Sequence, residues 1–197
     1  MNSPKLKSFL ISNLDIEQEE ILSILKNCLI KKVKKEAFLL RENEHCKHTF
    51  FVESGLLRQY SIDDKGKEHI ISFAPENWFV SDRESVYFNE ASAYYIQALE
   101  DSEVVMIDED FFIKLSEEIP SFIDFNNKLL HNHIRHLQKR IYMFLSASAE
   151  QRYLEFVAMY PDILLRVPQT MIASYLGITP ESLSRVRKEL ARKNFQK

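Results

Sequence analysis

The spacing of hydrophobic residues changes along the chain and divides it into regions of different secondary structure. Residues 15–27 place Ile16, Ile21, Leu22 and Leu25 on one side of a helix, which predicts a short amphipathic helix. Residues 29–107 instead hold short runs rich in Val, Ile, Phe and Tyr. These runs cover residues 30–34, 38–41, 49–53, 56–62, 69–73, 93–98 and 104–107. Turn-forming residues separate several of them, so we expect antiparallel β-strands in a barrel-like or sandwich domain.

A long helix is predicted over residues 120–145, after a shorter helix capped by Asp108. Its apolar residues recur every seven positions in two series, which are Ile123, Leu130, Leu137 and Phe144, and Asn127, Ile134 and Ile141. Isoleucine in one series and leucine in the other favour two parallel helices, and a single asparagine fixes their register. We therefore expect these seven residues to form a homodimer interface.

A second stripe on the same helix leaves an alternative open. Phe122, Leu129 and Met143 could pack the helix on its own domain without any partner.

After this helix, Ser148 is a candidate N-cap with Gln151 reaching back to it, which predicts a helix over residues 150–160.

The last thirty residues have the pattern of a helix-turn-helix. Met171, Ile172, Tyr175 and Leu176 form one apolar stripe, and Gly177 is placed to end that helix. Thr179 is a candidate N-cap for the next helix, with proline and glutamate in its first turn. Leu183, Val186 and Leu190 would point inward. Ser182, Ser184, Arg185, Lys188 and Arg192 would then point outward, as in a helix that reads the DNA major groove.

Charge is distributed unevenly in a way that agrees with DNA binding. Residues 181–197 hold six basic and two acidic side chains, a net charge of +4, and since the whole chain carries −3, residues 1–180 carry −7. A basic end on an acidic body favours a polyanionic partner and salt-dependent binding. A solvated amphipathic helix without function would show the same charge run.

Composition narrows the classes of function. The chain has 197 residues, no apolar run of membrane-spanning length and no signal-peptide core, so we expect a cytoplasmic protein without a membrane partner. Its two cysteines, Cys28 and Cys46, are too few for a four-thiolate iron–sulfur site. No glycine lies between residues 66 and 177, which excludes a glycine-rich phosphate loop there. The histidines of the long helix lack further ligands at metal-site spacing, so we predict no metal site and no cofactor, although these histidines do not exclude haem. No Ser/His/Asp set lies on a nucleophile-elbow pattern, so we predict no catalytic residue.

The order of these elements resembles the Crp/Fnr family, which includes the catabolite activator protein. Residues 50–79 and 94–115 are similar to the two halves of the family's cyclic-nucleotide-binding fold, and residues 172–190 are similar to its DNA-reading unit. The resemblance implies an α+β fold with an N-terminal antiparallel β-roll, a long dimerisation helix and a C-terminal helix-turn-helix whose wing is reduced or absent. The predicted domains are residues 1–118, 119–146 and 147–197.

The resemblance also implies residue roles in DNA binding. Glu181 and Arg185 match the family residues that reach base edges, with Ser182 between them, and arginine can bond to guanine while glutamate accepts from cytosine. Gln169 and Thr170 would contact phosphate. Together with the cap and the outward residues, the predicted DNA-binding set is Gln169, Thr170, Thr179, Glu181, Ser182, Ser184, Arg185 and Lys188. The tail from residue 192 to 197 would replace part of the wing's phosphate contacts.

The predicted sensor departs from the family pattern. The family holds the ribose and cyclic phosphate with a Gly-Glu pair and an Arg-Ser pair, and the matching positions here fall near Val80 and Ser81 and near Ala91. Arg83 is the only Lys or Arg between residues 68 and 113, and acidic residues surround it in sequence. We therefore expect no cyclic-AMP binding of the usual kind, and the effector is unknown.

The leading interpretation is a homodimeric transcription regulator that binds double-stranded DNA, an unknown effector and RNA polymerase. A sensor module that acts through protein partners is an alternative, motivated by Pro180 and the missing wing. A cyclic-nucleotide-responsive regulator with a rebuilt pocket also stays open, whereas no residue constellation supports an enzyme.

Overall fold

The computed structural model describes residues 3–14, 18–26 and 28–195 of the chain, and these form two compact units. The first unit is Met1–Lys67 with Ile71–Leu130, and the second is Glu68–Ile70 with His131–Lys197. The long helix continues from one unit into the other, so the division falls inside the predicted dimerisation helix.

Among the described residues there are eight antiparallel strands, and all of them belong to the first unit except for Glu68–Ile70 at the start of the fifth strand. They are β1 (Leu29–Val33), β2 (Phe38–Leu40), β3 (Thr49–Ser54), β4 (Leu57–Ile62), β5 (Glu68–Ala74), β6 (Phe79–Val80), β7 (Tyr95–Ala98) and β8 (Ser102–Ile107). They make two four-stranded sheets, with strand orders β1-β8-β3-β6 and β2-β7-β4-β5. The predicted β-roll is confirmed. Seven strands coincide with the predicted apolar runs, and β6 is additional because two residues are too few to show a period.

Alternation along the strands builds a core on each side of the first sheet. In β3, Phe50 and Val52 face the second sheet, whereas Phe51 faces the helices on the outside. In β8, Val104 and Val105 divide in the same way.

Nine helices accompany the strands in the described residues. They are α1 (Pro4–Asn13), α2 (Gln18–Leu25), α3 (Arg83–Phe88), α4 (Glu109–Glu118), α5 (Pro120–Ser146), α6 (Ala149–Met159), α7 (Ile163–Arg166), α8 (Gln169–Leu176) and α9 (Pro180–Phe195). Those predicted over residues 108–118, 120–145 and 150–160 correspond to α4, α5 and α6, and the caps at Asp108 and Ser148 are present.

The N-terminal region differs from the prediction. Of the helix predicted over residues 15–27, residues 15–17 and 27 lie outside the described part of the chain, and Ile16 is among them. In α2, Ile24 is buried while Leu22 is 41% exposed, so the predicted apolar side is rotated. The helix α1 was not predicted. Its Leu6 and Leu10 are buried in the same core as Phe51.

Aromatic rings fix α1 against the first sheet. The Phe9 ring lies 5.9 Å from that of Phe51, 5.4 Å from that of Phe79 and 5.8 Å from that of Phe125, measured between centroids. Phe125 belongs to the first turns of α5, where Phe122 is also buried. The N-terminal end of α5 therefore belongs to the core of the first unit.

Candidate nucleic-acid interface and sensor site

The turn between α8 and α9 has the geometry that the sequence predicts. Gly177 adopts φ +64°, and its N–H donates to the carbonyl of Ser174 at 3.0 Å. The N–H of Ile178 donates to the carbonyl of Ala173, also at 3.0 Å. This pair of bonds is a Schellman motif, which satisfies the last carbonyls of α8 and turns the chain toward α9.

Thr179 caps α9 as predicted. Its hydroxyl oxygen accepts the N–H of Ser182 at 3.2 Å, which satisfies one of the free donors at the helix start. Hydrogen bonds from its own backbone N–H and from the Thr179 hydroxyl lower the pKa of the neighbouring Glu181. Glu181 is therefore an ionised acceptor at neutral pH, as the predicted contact with cytosine requires.

The two faces of α9 differ sharply. Leu183 and Val186 are buried, and they pack in a unit that also buries Ile172, Ala173 and Leu176 of α8. The opposite face of α9, the preceding cap and the start of α8 carry the predicted DNA-binding residues. Gln169, Thr170, Thr179, Glu181, Arg185 and Lys188 are exposed, and Ser182 and Ser184 are half-buried. The fold therefore leaves this set on the surface of one helix-turn-helix.

The basic residues at the end of α9 are not equivalent. Arg192 is exposed, whereas the Lys193 ammonium donates to both carboxylate oxygens of Glu150 at 2.8 and 2.9 Å. This hydrogen bond raises the pKa of Lys193. The predicted tail contacts to phosphate therefore have a competitor at Lys193, and residues 196 and 197 lie outside the described part of the chain. No strand follows β8 among the residues described, so a wing is not seen there.

The predicted dimer residues form an apolar stripe on the surface of α5. Their exposed fractions are 52% for Ile123, 49% for Ile134, 45% for Leu137, 60% for Ile141 and 43% for Phe144. Asn127 is exposed and Leu130 is half-buried. Of the second stripe, Phe122 is buried and Leu129 packs on the core of the first unit, so the helix does carry two distinct apolar faces.

Hydrogen bonds within the chain hold the segment whose position in the sequence matches the family's two nucleotide-binding residue pairs. The buried carboxylate of Asp82 caps α3 by accepting the N–H groups of Glu84 at 3.1 Å and Ser85 at 3.3 Å. Its second oxygen accepts the Ser92 hydroxyl at 2.6 Å. Ser81 and Ala91 are at the predicted matches to the family's nucleotide-binding pairs, and Asp82 and Ser92 each lie one residue after them. The Asp82 carboxylate thus already accepts from the N–H donors at the start of α3.

Basic side chains do not replace the missing anion ligands. Arg83 is exposed and its guanidinium lies over the Tyr87 ring, 4.9 Å from the centroid. Arg58 is buried in β4, where its guanidinium donates to the Gln97 side chain. Because neighbouring residues of a strand point to opposite faces, Arg58 and Gln59 lie on different faces of β4. The Gln59 amide instead bonds the Ser81 carbonyl and the Ser72 hydroxyl, each at 3.3 Å.

Both cysteines are buried and free. Burial raises the pKa of the Cys28 thiol to about 11, and it raises that of Cys46 as well. Both thiols are therefore protonated at neutral pH, as expected of cysteines packed in a core. In the described ranges no three His, Cys, Asp or Glu side chains are grouped as metal ligands would be.

Sequence reasoning missed the Asp82 network and the residues that join α5 to the helix-turn-helix. Asp82 had a usable local signal, because an aspartate followed by Arg-Glu-Ser can cap a short helix. Arg140 had none, since it bonds the carbonyl of Tyr175, thirty-five residues away.

One family model and several curated regulators are similar to this chain. Residues 30–118 match the family model described as the cyclic nucleotide-binding domain. The chain is 26% identical over 181 residues to the anaerobic regulatory protein of Pasteurella multocida, covering 85% of this chain and 66% of the relative. It is 28% identical over 167 residues to the transcriptional activator protein anr of Pseudomonas aeruginosa, covering 79% and 68%. The chain is therefore similar to regulators of the Crp/Fnr type.

The fold comparison agrees. The structure of FixK2 from Bradyrhizobium japonicum superposes with a TM-score of 0.70 at 18% identity, covering 85% of this chain and 86% of that one. The fold thus fits a DNA-binding regulator with a cyclic-nucleotide-binding-like sensor domain, and the curated relatives of this chain are regulators by name. It spans about two thirds of the length of those relatives. Within the described residues, no helix has the length and apolarity needed to cross a bilayer.

Proposed function

We propose that this protein is a homodimeric, sequence-specific DNA-binding transcription regulator whose α9 enters the major groove. The exposed polar and basic face of α9, opposite the buried Leu183 and Val186, carries the proposal. Such a face on the second helix of a helix-turn-helix has the width and the donors that the groove accepts.

The residues of this face have distinct proposed roles. Arg185 bonds guanine, Glu181 accepts from cytosine N4, and Ser182 lies between them. Gln169 and Thr170 begin α8 and bond phosphate, which sets the position of the helix but reads no sequence. Lys188 adds charge to the same face. Thr179 holds the start of α9 by accepting the N–H of Ser182. Ser184 completes the set.

A second copy of the chain is the proposed occupant of the apolar stripe on α5. Isolated exposed apolar residues are ordinary, but five of them on one line of a 27-residue helix are a contact surface. The heptad of Ile, Leu and one Asn favours a parallel pair of identical helices. Two copies would present two α9 helices to half-sites about 34 Å apart.

The sensor is proposed to respond to something other than cyclic AMP in its usual mode. The Asp82 carboxylate already fills the N–H donors at the start of α3, and a phosphate there would meet a like charge. Titration calorimetry of the full chain with cyclic AMP and cyclic GMP tests this. We expect no binding heat, and 1:1 binding of either nucleotide would overturn the proposal. RNA polymerase as a partner and the cytoplasm as the location stay proposals of the same kind.

Selection of bound sequences from a random DNA pool, repeated at two salt concentrations, tests DNA binding directly. We expect a near-palindromic consensus and an affinity that falls steeply with salt. Absence of any consensus would instead favour the sensor module that acts through protein partners.

Arg185→Ala tests the reading helix itself. Its loss should cost about 1–3 kcal/mol of binding and relax the preference at one base step. Arg187→Ala is the matched control, because it removes the same charge from the same helix at a position beside the reading face. The assignment is wrong if Arg185→Ala retains both wild-type affinity and the wild-type consensus.

A further inference from the structure

Two side chains of the C-terminal half of α5, residues 131–146, contact the turn of the helix-turn-helix. Both contacts lie within the second unit. Arg140 and Phe144 are four residues apart and therefore share one face of the helix. That face is directed at the end of α8 and at Gly177.

Arg140 binds the C-terminal end of α8. Its guanidinium donates to the carbonyl of Tyr175 at 3.3 Å and to that of Ile70 at 3.1 Å, both in the same unit. It also lies over the Tyr175 ring, 4.2 Å from the centroid. A cation at the end of a helix interacts favourably with its dipole, and the planar guanidinium adds stacking that a lysine cannot provide.

Phe144 fills the space beside the turn. A Cβ placed on Gly177 would lie 2.9 Å from the Cε1 atom of Phe144, so the ring is in direct contact with the glycine backbone. The guanidinium groups of Arg140 and Arg152 lie 5.4 and 5.5 Å from the ring centroid. The turn therefore contacts the Phe144 ring on the long helix, and that side chain remains partly exposed.

Tyr175 also packs against two other aromatic rings. Its ring lies 5.2 Å from that of Phe156 and 5.8 Å from that of Tyr160. Arg140 thus closes an aromatic cluster that belongs to the core of the helix-turn-helix. Movement of α8 relative to α5 would break the stacking, the carbonyl bond and the contact with Gly177 together.

We propose that Arg140 and Phe144 are positioning residues for DNA reading, because they fix the α8–α9 turn to α5 and so make the direction of α9 follow that of the long helix. This proposal rests on the proposed function. It predicts that the two residues set how strictly the dimer discriminates between spacings of its two half-sites.

The experiment uses the full chain and the operator selected by the wild type, with versions whose half-site spacing is one base pair longer or shorter. Affinity is measured for wild type, Arg140→Ala, Arg140→Lys, Phe144→Leu and the control Arg135→Ala, which removes a charge from an exposed position of the same helix. Sedimentation gives the oligomeric state of each variant, and Leu keeps residue 144 apolar for the proposed dimer contact.

We expect Arg140→Ala to keep the wild-type oligomeric state and to lose discrimination between spacings by a factor on the order of threefold to thirtyfold. Arg140→Lys should retain part of it, because the charge near the carbonyl remains while the stacking is lost. Phe144→Leu should also reduce it, and Arg135→Ala should not. If Arg140→Ala fails to fold, Arg140→Lys and Phe144→Leu decide.

A uniform loss of affinity on all spacings would overturn the proposal, since it would show that Arg140 serves only local stability. So would unchanged discrimination in Arg140→Lys and Phe144→Leu. If the wild type selects no DNA at all, the proposed function itself fails, and that outcome is visible before any variant is made.

Discussion

Gly177 is constrained twice, by its own backbone and by its neighbour. A residue with a side chain pays for the left-handed conformation at φ +64°, and any Cβ there would press on Phe144. Each constraint alone would favour glycine.

Gly177→Ala should therefore lower the free energy of unfolding by roughly 1–2 kcal/mol because of the left-handed backbone, and the new Cβ would also displace the Phe144 ring. Urea unfolding followed by circular dichroism measures the change. Gly177→Asn is the comparison, because asparagine tolerates the left-handed region and should lose less of the backbone share. Equal stability of Gly177→Ala and wild type would contradict both constraints.

Glu53 shows why α1 could not be predicted from its own residues. The start of α1 has no side-chain cap from Ser3. Instead the buried carboxylate of Glu53, in β3, accepts the N–H groups of Lys5 at 3.0 Å and Leu6 at 2.9 Å. The cap lies nearly fifty residues away in sequence, so local patterns contain no sign of it.

Replacing Glu53 with alanine should destabilise the chain by about 1–3 kcal/mol, because the buried N–H of Leu6 and the part-buried N–H of Lys5 lose their acceptor. The same denaturation measurement tests it. Glu118→Ala serves as the control, since it removes only an exposed ion pair with Lys114 and should change stability by less than about 0.5 kcal/mol. Similar effects of the two substitutions would show that Glu53 is not the cap of α1.

At the scale of elements, the well-predicted parts are those whose signal is local and long. The strands follow from alternation, and α5, α8 and α9 follow from helical spacing together with a cap or a glycine. By contrast, α3 and α7 have six and four residues, which is too short for a periodic signal. The sequence therefore predicts no helix or strand for the segment around α3, although the departure of this segment from the family pattern is evident in its residues.

The apolar stripe on α5 gives the prediction that belongs to this scale. Leu137→Glu places a charge in the centre of the proposed seam of both copies, so the dissociation constant of the dimer should rise by at least about a hundredfold. Sedimentation over a concentration series measures it. Asn132→Glu introduces the same residue on the exposed outer side of the helix and should leave the dimer intact. A Leu137→Glu dimer as tight as the wild type would place the interface elsewhere.

At the scale of the whole molecule, the chain has an acidic first unit and a basic α9, and α5 is a 27-residue helix about 40 Å long that has residues in both units. Pairing of two copies through that helix would link two α9 helices, each of which would bind DNA only weakly alone. Linked readers gain affinity without new contacts when the spacing of the two half-sites fits the dimer. The pairing was predicted from a heptad, whereas the contacts that orient the reader on the helix depend on residues far apart in sequence.

The mass of the complex on the selected duplex tests this account most directly. Sedimentation equilibrium of the full chain at micromolar concentration should show two copies on a duplex with both half-sites, and Leu137→Glu should bind that duplex far more weakly. A single copy bound to the duplex with wild-type affinity, or no complex with any selected sequence, would contradict the account.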